Sequence, residues 1–132
     1  MDALPDWPAG TVAVLSTGGE APHAIPVSTA VRRGPRTVAF ALARRRSSLA
    51  RLRADPRCAL TILAAGDVAL TAHGRATVVR EAERIAVVEL AVERIQDHAQ
   101  PTFVVEDGVR WRWTDAEAAR ADAEVRQALE GA

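Results

Sequence analysis

The sequence predicts a mainly β fold with added α-helices: six to seven short strands in a barrel or sandwich, one short helix, and longer helices at the periphery. Short runs of β-branched and apolar residues recur along the chain, and turn-forming pairs such as Gly18-Gly19, Gly66-Asp67 and Asp107-Gly108 separate them. Apolar residues make up 48% of the 132 residues, which is enough for a buried core. The interior of so small a barrel fills with side chains, so we expect a sizeable ligand to bind outside it.

The first third of the chain is predicted to hold three strands, at residues 11–17, 23–31 and 36–42. Turns separate them, and we expect an antiparallel meander. Pro26 lies inside the second strand. Because proline cannot donate to a strand ladder, this strand should lie at an edge or carry a bulge.

The middle of the chain begins with a short amphipathic helix, predicted at residues 46–54 and ended by the proline that follows. Strands are predicted at residues 57–64 and 68–80, and Gly74 in the second predicts a bulge or a barrel corner. Residues 81–96 are predicted as a longer helix. Its apolar face consists of Ile85, Val88, Ala91, Val92 and Ile95.

The last third is predicted to form a hairpin and a helix. Residues 102–106 and 109–113 fit two strands joined at Asp107-Gly108, and residues 114–129 fit a terminal helix. No repeat or linker interrupts the chain, so we expect residues 1–132 to form one domain.

Composition excludes several classes of protein. The 17 basic and 17 acidic residues leave no positive surplus for neutralising nucleic-acid phosphates. No apolar run approaches the ~20 residues of a membrane span, and residues 1–8 do not resemble a signal peptide, so we expect a cytoplasmic protein. Cys58 is the only cysteine and lies in an apolar run, which predicts a buried thiol without a disulfide. The three histidines do not have metal-ligand spacing, so no metal site is predicted.

The segment Arg44-Arg45-Arg46-Ser47-Ser48 is the strongest candidate for ligand binding. It opens the first predicted helix, where backbone N–H groups, hydroxyls and guanidinium groups together suit a phosphate monoester. The alternative is a solvated basic turn, and both interpretations stay open on the segment alone.

Two further segments could contact a ligand. Pro26, Val27 and Ser28 lie on the proline-containing strand, whose broken pairing exposes backbone groups, although on the residues alone a simple edge strand is the favoured interpretation. Trp111 and Trp113 should share one face of a strand, where they could stack on a planar cofactor, fill a dimer interface or pack in the core. No side chain stands out as a general acid, base or nucleophile, so catalytic residues are not assigned; an enzyme whose cofactor carries the redox chemistry needs none.

The order of these motifs resembles the pyridoxamine 5′-phosphate oxidase-like superfamily, the flavin and deazaflavin split-barrel oxidoreductases. The resemblance covers roughly residues 10–80. It is most specific in LxxDPRxAL at residues 52–60 and in GxAxVV at residues 74–79. It implies a split β-barrel of six to seven strands that works as a homodimer and holds its cofactor in a groove between subunits.

The resemblance also implies roles for individual residues. Pro26, Val27 and Ser28 would lie along the isoalloxazine ring. The phosphate would be held by Arg44, Arg46, Ser47 and Ser48, and Trp111 and Trp113 would close the site. Many relatives carry lysine at the position of Ser48, so the phosphate charge would have to come from Arg44, Arg46 or Arg51.

The sequence is therefore interpreted as an FMN-dependent oxidoreductase that acts on a small redox substrate. One alternative is a deazaflavin-dependent reductase of the same fold. A second alternative is a non-catalytic protein that binds flavin or haem. Neither nucleic acid nor a membrane is expected as a partner.

Overall fold

In residues 1–131, which the computed structural model describes, the chain forms seven strands and two helices. In chain order these are β1 (Ala13–Thr17), β2 (His23–Val27), β3 (Val31–Gly34), β4 (Thr37–Ala43), α1 (Ser47–Ala54), β5 (Arg57–Ala64), β6 (Val68–Glu81), β7 (Ile85–Asp97) and α2 (Ala116–Gly131). The mainly β class is confirmed. Neither helix is long and apolar enough to cross a membrane.

The strands form one antiparallel sheet in the order β2-β1-β5-β6-β7-β4-β3. Its two edges are not hydrogen-bonded to each other, yet β2 contacts β4, so the sheet curls into an incompletely closed barrel. The long strands β6 and β7 bend at register shifts after His73 and after Val78. The predicted bulge at Gly74 and the predicted edge position of Pro26 are thereby confirmed.

The core lies inside the curled sheet. Alternate residues of each strand point inward, as in β5, where Cys58, Leu60, Ile62 and Ala64 are buried. The fully buried large side chains of the barrel are Leu15, Val38, Phe40, Leu60, Ile62, Leu70, Val88 and Leu90. Burial raises the pKa of the Cys58 thiol to about 12, as expected for a thiol surrounded by apolar groups. These side chains fill the interior, so ligand space must be sought outside it.

The helix predicted at residues 81–96 is wrong: this segment is strand β7. It pairs with β6 on one side and β4 on the other. Its inner face packs into the barrel and its outer face packs under α2, so both Val87 and Val88 are buried. A strand covered on both faces lacks simple alternation, and its apolar spacing also fits a helix.

The strands predicted at 102–106 and 109–113 are also wrong, since residues 98–115 hold neither a strand nor a helix. This segment, called the C-terminal arm below, runs across the sheet surface. Val105 donates its N–H to Asp67 Oδ1 at 2.9 Å, and Gly108 passes so close to β5 that an added Cβ would lie 2.7 Å from Leu63 O. Within residues 1–131 the arm pairs with neither edge strand of the sheet, so its β-branched residues stay irregular.

The predicted meander of the first three strands is wrong as well. The segment 23–31 breaks after Val27, and its end begins β3. The hairpins β1–β2 and β3–β4 consequently lie at opposite edges of the sheet. This separation leaves a space between the ends of β2 and β4.

Candidate functional site

A groove of about 380 Å³ occupies that space, with α2 lying over it. Its floor comes from the end of β2 with the turn that follows, from the end of β4, and from the start of β7. The volume falls in the ~300–1,000 Å³ range of small-molecule sites. Among the clefts of the described residues, this one gathers the most predicted site residues.

The groove brings together five residues that the sequence singled out in three separate segments. These are Pro26, Val27, Ser28, Arg46 and Trp113. Predicted residues that do not line it are Arg44, Ser47, Ser48, Arg51 and Trp111.

Strand β2 forms one wall of the groove and is an edge strand. Pro26 pairs with Val14 of β1, and within residues 1–131 no strand pairs on the other side of β2. Val27 is buried, whereas Pro26 is exposed and Ser28 is half-buried. An edge strand leaves alternate backbone N–H and C=O groups unpaired, so this wall can hydrogen-bond the polar rim of a flat ligand.

The cationic end of the groove is Arg46, the residue before α1. Its backbone N–H donates to Ala43 O at 3.0 Å, which turns the chain from β4 into the helix. Within the described residues, the exposed Arg46 guanidinium forms no hydrogen bond or ion pair. Ser47 follows with an exposed side chain, and no acidic residue occupies the first turn of α1. Free guanidinium, hydroxyl and backbone donors at one point suit an anion.

Two other predicted arginines have partners within the protein. Arg44 lies 4.0 Å from the carboxylate of Glu81, which also pairs with Arg53. Arg51 donates from Nη1 to Gly18 O at 3.0 Å and so clamps the turn between β1 and β2. Their guanidinium groups are therefore committed to structure, and Arg46 is the arginine left to face the groove.

Ser48 lies inside the protein, although the resemblance suggested a phosphate ligand there. Its side chain is fully buried, and its hydroxyl lies 3.2 Å from His23 Nε2. This hydrogen bond ties α1, which follows Arg46, to β2, which carries Pro26. In the described structure Ser48 positions the two walls of the groove relative to each other.

The two predicted tryptophans stack on each other at the end of the C-terminal arm. Their ring centroids are 5.1 Å apart at an interplanar angle of 84°. Trp113 lines the groove, while Trp111 turns away and donates its indole N–H to Gly10 O at 2.8 Å. The predicted common strand face does not exist, because the arm is irregular here.

Asp122 on α2 was missed by the sequence reasoning. Its side chain is 11% exposed and lines the groove, and its Oδ2 accepts a hydrogen bond from Trp113 Nε1 at 3.4 Å. The neighbouring groove residues Ala118, Ala121 and Val125 recur at helical spacing with it. That stripe marks the inner face of α2 in the sequence, but nothing in it shows what the face covers.

No group of His, Cys, Asp or Glu in residues 1–131 is arranged to hold a metal ion.

A family model described as pyridoxamine 5′-phosphate oxidase matches residues 1–127 of the chain. A search of curated protein sequences found none that matches this chain.

Solved structures similar to this chain share its fold at low sequence identity. Nitrilotriacetate monooxygenase component B from Mycobacterium thermoresistibile has a TM-score of 0.59 at 13% identity, over 82% of this chain and 87% of that one. A FAD-binding protein from Mesorhizobium loti has a TM-score of 0.55 at 11% identity, over 66% of this chain and 82% of that one. A haem-binding protein from Mycobacterium smegmatis has a TM-score of 0.55 at 17% identity, over 66% of this chain and 48% of that one. These similarities establish the split-barrel fold for this chain.

Proposed function

Because the chain belongs to the pyridoxamine 5′-phosphate oxidase family, we propose that it is a flavin-dependent oxidoreductase that binds FMN in the groove between β2, β4 and α2. The main observation behind this proposal is that one groove is lined by Pro26–Ser28, Arg46 and Trp113. These three segments are far apart in sequence, and each was predicted to contact a different part of the same cofactor.

The residues present fit this cofactor. The unpaired edge of β2 offers hydrogen bonds to the polar rim of a ring system. Arg46 lines the groove and would hold the phosphate. Ser47 does not line it, but as the next residue it could add its exposed hydroxyl to the same phosphate. Trp113 supplies an aromatic wall, and the indole is oriented by Asp122. A bound flavin supplies the electron-transfer chemistry itself.

The protein contributes position, charge and shielding from water. Ser48 and His23 fix α1 against β2, so Arg46 is held at one end of the groove. Helix α2 lines the groove with the small side chains of Ala118 and Ala121, which leave room for a ligand beneath the helix. A small redox substrate would approach through the open side of the site.

We include a homodimer in this proposal. Large apolar side chains remain exposed on the sheet and on the C-terminal arm, namely Val14, Leu63, Val79, Phe103, Val104 and Val109. Val14 and Leu63 are diagonal neighbours on the paired strands β1 and β5, and contiguous exposed apolar residues mark interaction surfaces more often than single ones do. Light scattering on the purified protein measures the mass directly, and a monomer at micromolar concentration would remove this part of the proposal.

Titration of the protein with FMN, followed by flavin fluorescence, tests the site. We expect saturable binding at micromolar concentration or tighter and a yellow holoprotein. Arg46→Ala should weaken binding about 10- to 150-fold, because a hydrogen bond to a charged group contributes about 1.5–3 kcal/mol. The matched control is Arg80→Ala, an exposed arginine that does not line the groove, which should bind FMN as the wild type does.

Other outcomes would overturn the proposal in distinct ways. Equal FMN affinity of wild type and Arg46→Ala would remove the phosphate site. A colourless protein that quenches the fluorescence of an added deazaflavin coenzyme would replace FMN by that cofactor. A haem Soret band without flavin binding would replace the enzyme by a haem-binding protein.

A further inference from the structure

A second, larger cavity adjoins the groove at Trp113. Its volume is about 960 Å³, it is open to solvent on one side, and it is lined by the C-terminal arm, by residues 8–11 and by α2. Trp113 and Asp122 line both this cavity and the groove, so the two spaces share a wall. Of the residues that line it, the sequence singled out Trp111 and Trp113.

Arg126 on α2 is the unusual side chain in this cavity. It is 23% exposed, and its Nε–H is buried without a hydrogen-bond acceptor. Asp122 Oδ2 lies 2.9 Å from that nitrogen, but the N–H does not point at it, so the pair is ionic without a hydrogen bond. The Nε–H is enclosed by protein atoms, so a ligand in the cavity would meet the two Nη groups, which form no hydrogen bond within residues 1–131.

An aromatic surface lies next to this guanidinium. The guanidinium carbon of Arg126 is 5.8 Å from the ring centroid of Trp111, and Trp111 packs edge-to-face on Trp113. The two indoles are 37% and 43% exposed, so part of each ring remains free. A flat aromatic ligand can pack against such rings.

The charges that line the cavity limit the charge of its ligand. Arg110 pairs with Asp107 at 3.2 Å, and Arg126 is offset by Asp122. The remaining lining charges are those of Arg112 and Glu130, which are both exposed. With the acidic and basic groups balanced, the cavity does not suit a polyphosphate, but a single negative charge could satisfy the free donors of Arg126.

We propose that this cavity binds a planar aromatic monoanion, with its acidic group at Arg126 and its ring against Trp111. The binding itself follows from the cavity alone. That this ligand is the second redox reactant rests on the proposed function, because only the shared wall of Trp113 and Asp122 places it next to a cofactor.

A matched pair of probes tests the charge and the ring together. Isothermal titration calorimetry should show saturable binding of 2-naphthoate to the full-length protein. The neutral analogue 2-naphthamide has the same shape and should bind about tenfold more weakly or worse, since it lacks the charge. Equal affinity for the two probes, or no saturable binding of 2-naphthoate, would overturn the proposal.

Variants locate the binding. Arg126→Gln and Trp111→Leu should each weaken 2-naphthoate binding about tenfold, and Arg126→Lys should retain part of it. The control is Arg120→Gln, an exposed arginine on the same helix that lines neither space. Circular dichroism establishes that each variant is folded. Unchanged affinity in both folded variants, Arg126→Gln and Trp111→Leu, would refute the assignment.

The two proposals fail separately in these experiments. FMN and 2-naphthoate are therefore titrated separately into the wild-type protein, because Arg126 pairs with Asp122, which lines the groove, and a variant of Arg126 can alter both sites. Binding of 2-naphthoate without any FMN binding would retain this cavity and refute the proposed function. FMN binding without 2-naphthoate binding would refute the proposed ligand of this cavity and retain the proposed function.

Discussion

Gly74 lies where β6 and β7 bend, and its replacement by alanine is the sharpest structural test of the barrel. A Cβ added to Gly74 would lie 2.0 Å from Ala91 O, 2.9 Å from Ala91 C and 3.1 Å from Val92 Cα. All three atoms belong to the backbone of β7, so no side chain can rotate out of the way. The register shifts at this point, and Gly74 pairs with Val92 while Arg75 pairs with Ala91.

The expected cost of Gly74→Ala follows from this overlap. Real Cβ contacts do not fall below 3.0 Å, so β6 and β7 must separate locally by about 1 Å. Overpacking strain of about 1–3 kcal/mol adds to weakened ladder hydrogen bonds of about 0.5–1.5 kcal/mol each. We therefore expect a loss of about 3 kcal/mol in the free energy of unfolding and a fall of roughly 10 °C in Tm.

Chemical and thermal denaturation followed by circular dichroism measure both quantities. The matched control is Gly18→Ala, because an added Cβ there meets no atom within 4 Å and the backbone does not require glycine. This control should change stability by no more than about 0.5 kcal/mol. If Gly74→Ala melted within about 2 °C of the wild type, the close approach of β6 to β7 would be refuted.

Two further predictions concern α2 and the turn after α1. Leu129 is the only residue of α2 described as buried, and it packs on the outer face of the sheet. Leu129→Ala should therefore destabilise the packing of α2 by about 2–4 kcal/mol, which should appear as faster hydrogen exchange in residues 116–131 and as weaker FMN binding. The control Leu63→Ala, at a half-exposed position, should change neither quantity. Unchanged hydrogen exchange in Leu129→Ala would contradict this prediction. The side chain of Arg57 hydrogen-bonds Asp55 and, with the Arg57 backbone N–H, lowers the pKa of that carboxyl from 3.8 to about 2. Since the folded pKa is the lower one, the stabilisation is present above pH 3.8 and is lost as pH falls through about 2. Carbon-13 NMR titration of Arg57→Gln should give a pKa between about 2 and 3.8, because the backbone N–H of residue 57 still bonds the carboxyl, and a value that stayed at about 2 would refute the role of the side chain.

Local patterns along the chain were sufficient for much of the fold. The strand at residues 57–64 and the bulge at Gly74 were predicted, because each depends on neighbouring residues. Asp55 adopts an extended conformation before Pro56 and ends α1, as the proline requires. Cys58 was predicted to be buried from the apolar run around it, and it is.

Strand β7 could not be predicted in this way. Its apolar residues repeat at a spacing that fits one face of a helix and also fits a strand buried on both faces. Only the pairing with β6 and β4 decides between the two, and those partners are set by long-range contacts. The C-terminal arm shows the converse case, since residues with strand propensity form no strand where no partner is available.

The same division holds for the candidate site. The sequence by itself determined that a basic segment opens α1 and that a proline strand precedes it. Tertiary structure decided which of those residues face the groove: Arg51 is held by the β1–β2 turn and Ser48 by His23, while Arg46 keeps its donors free. It also brought Asp122 to the groove, which no local pattern indicated. The physical reason is that a side chain's availability depends on the acceptors that the fold brings to it, and these come from segments distant in the sequence.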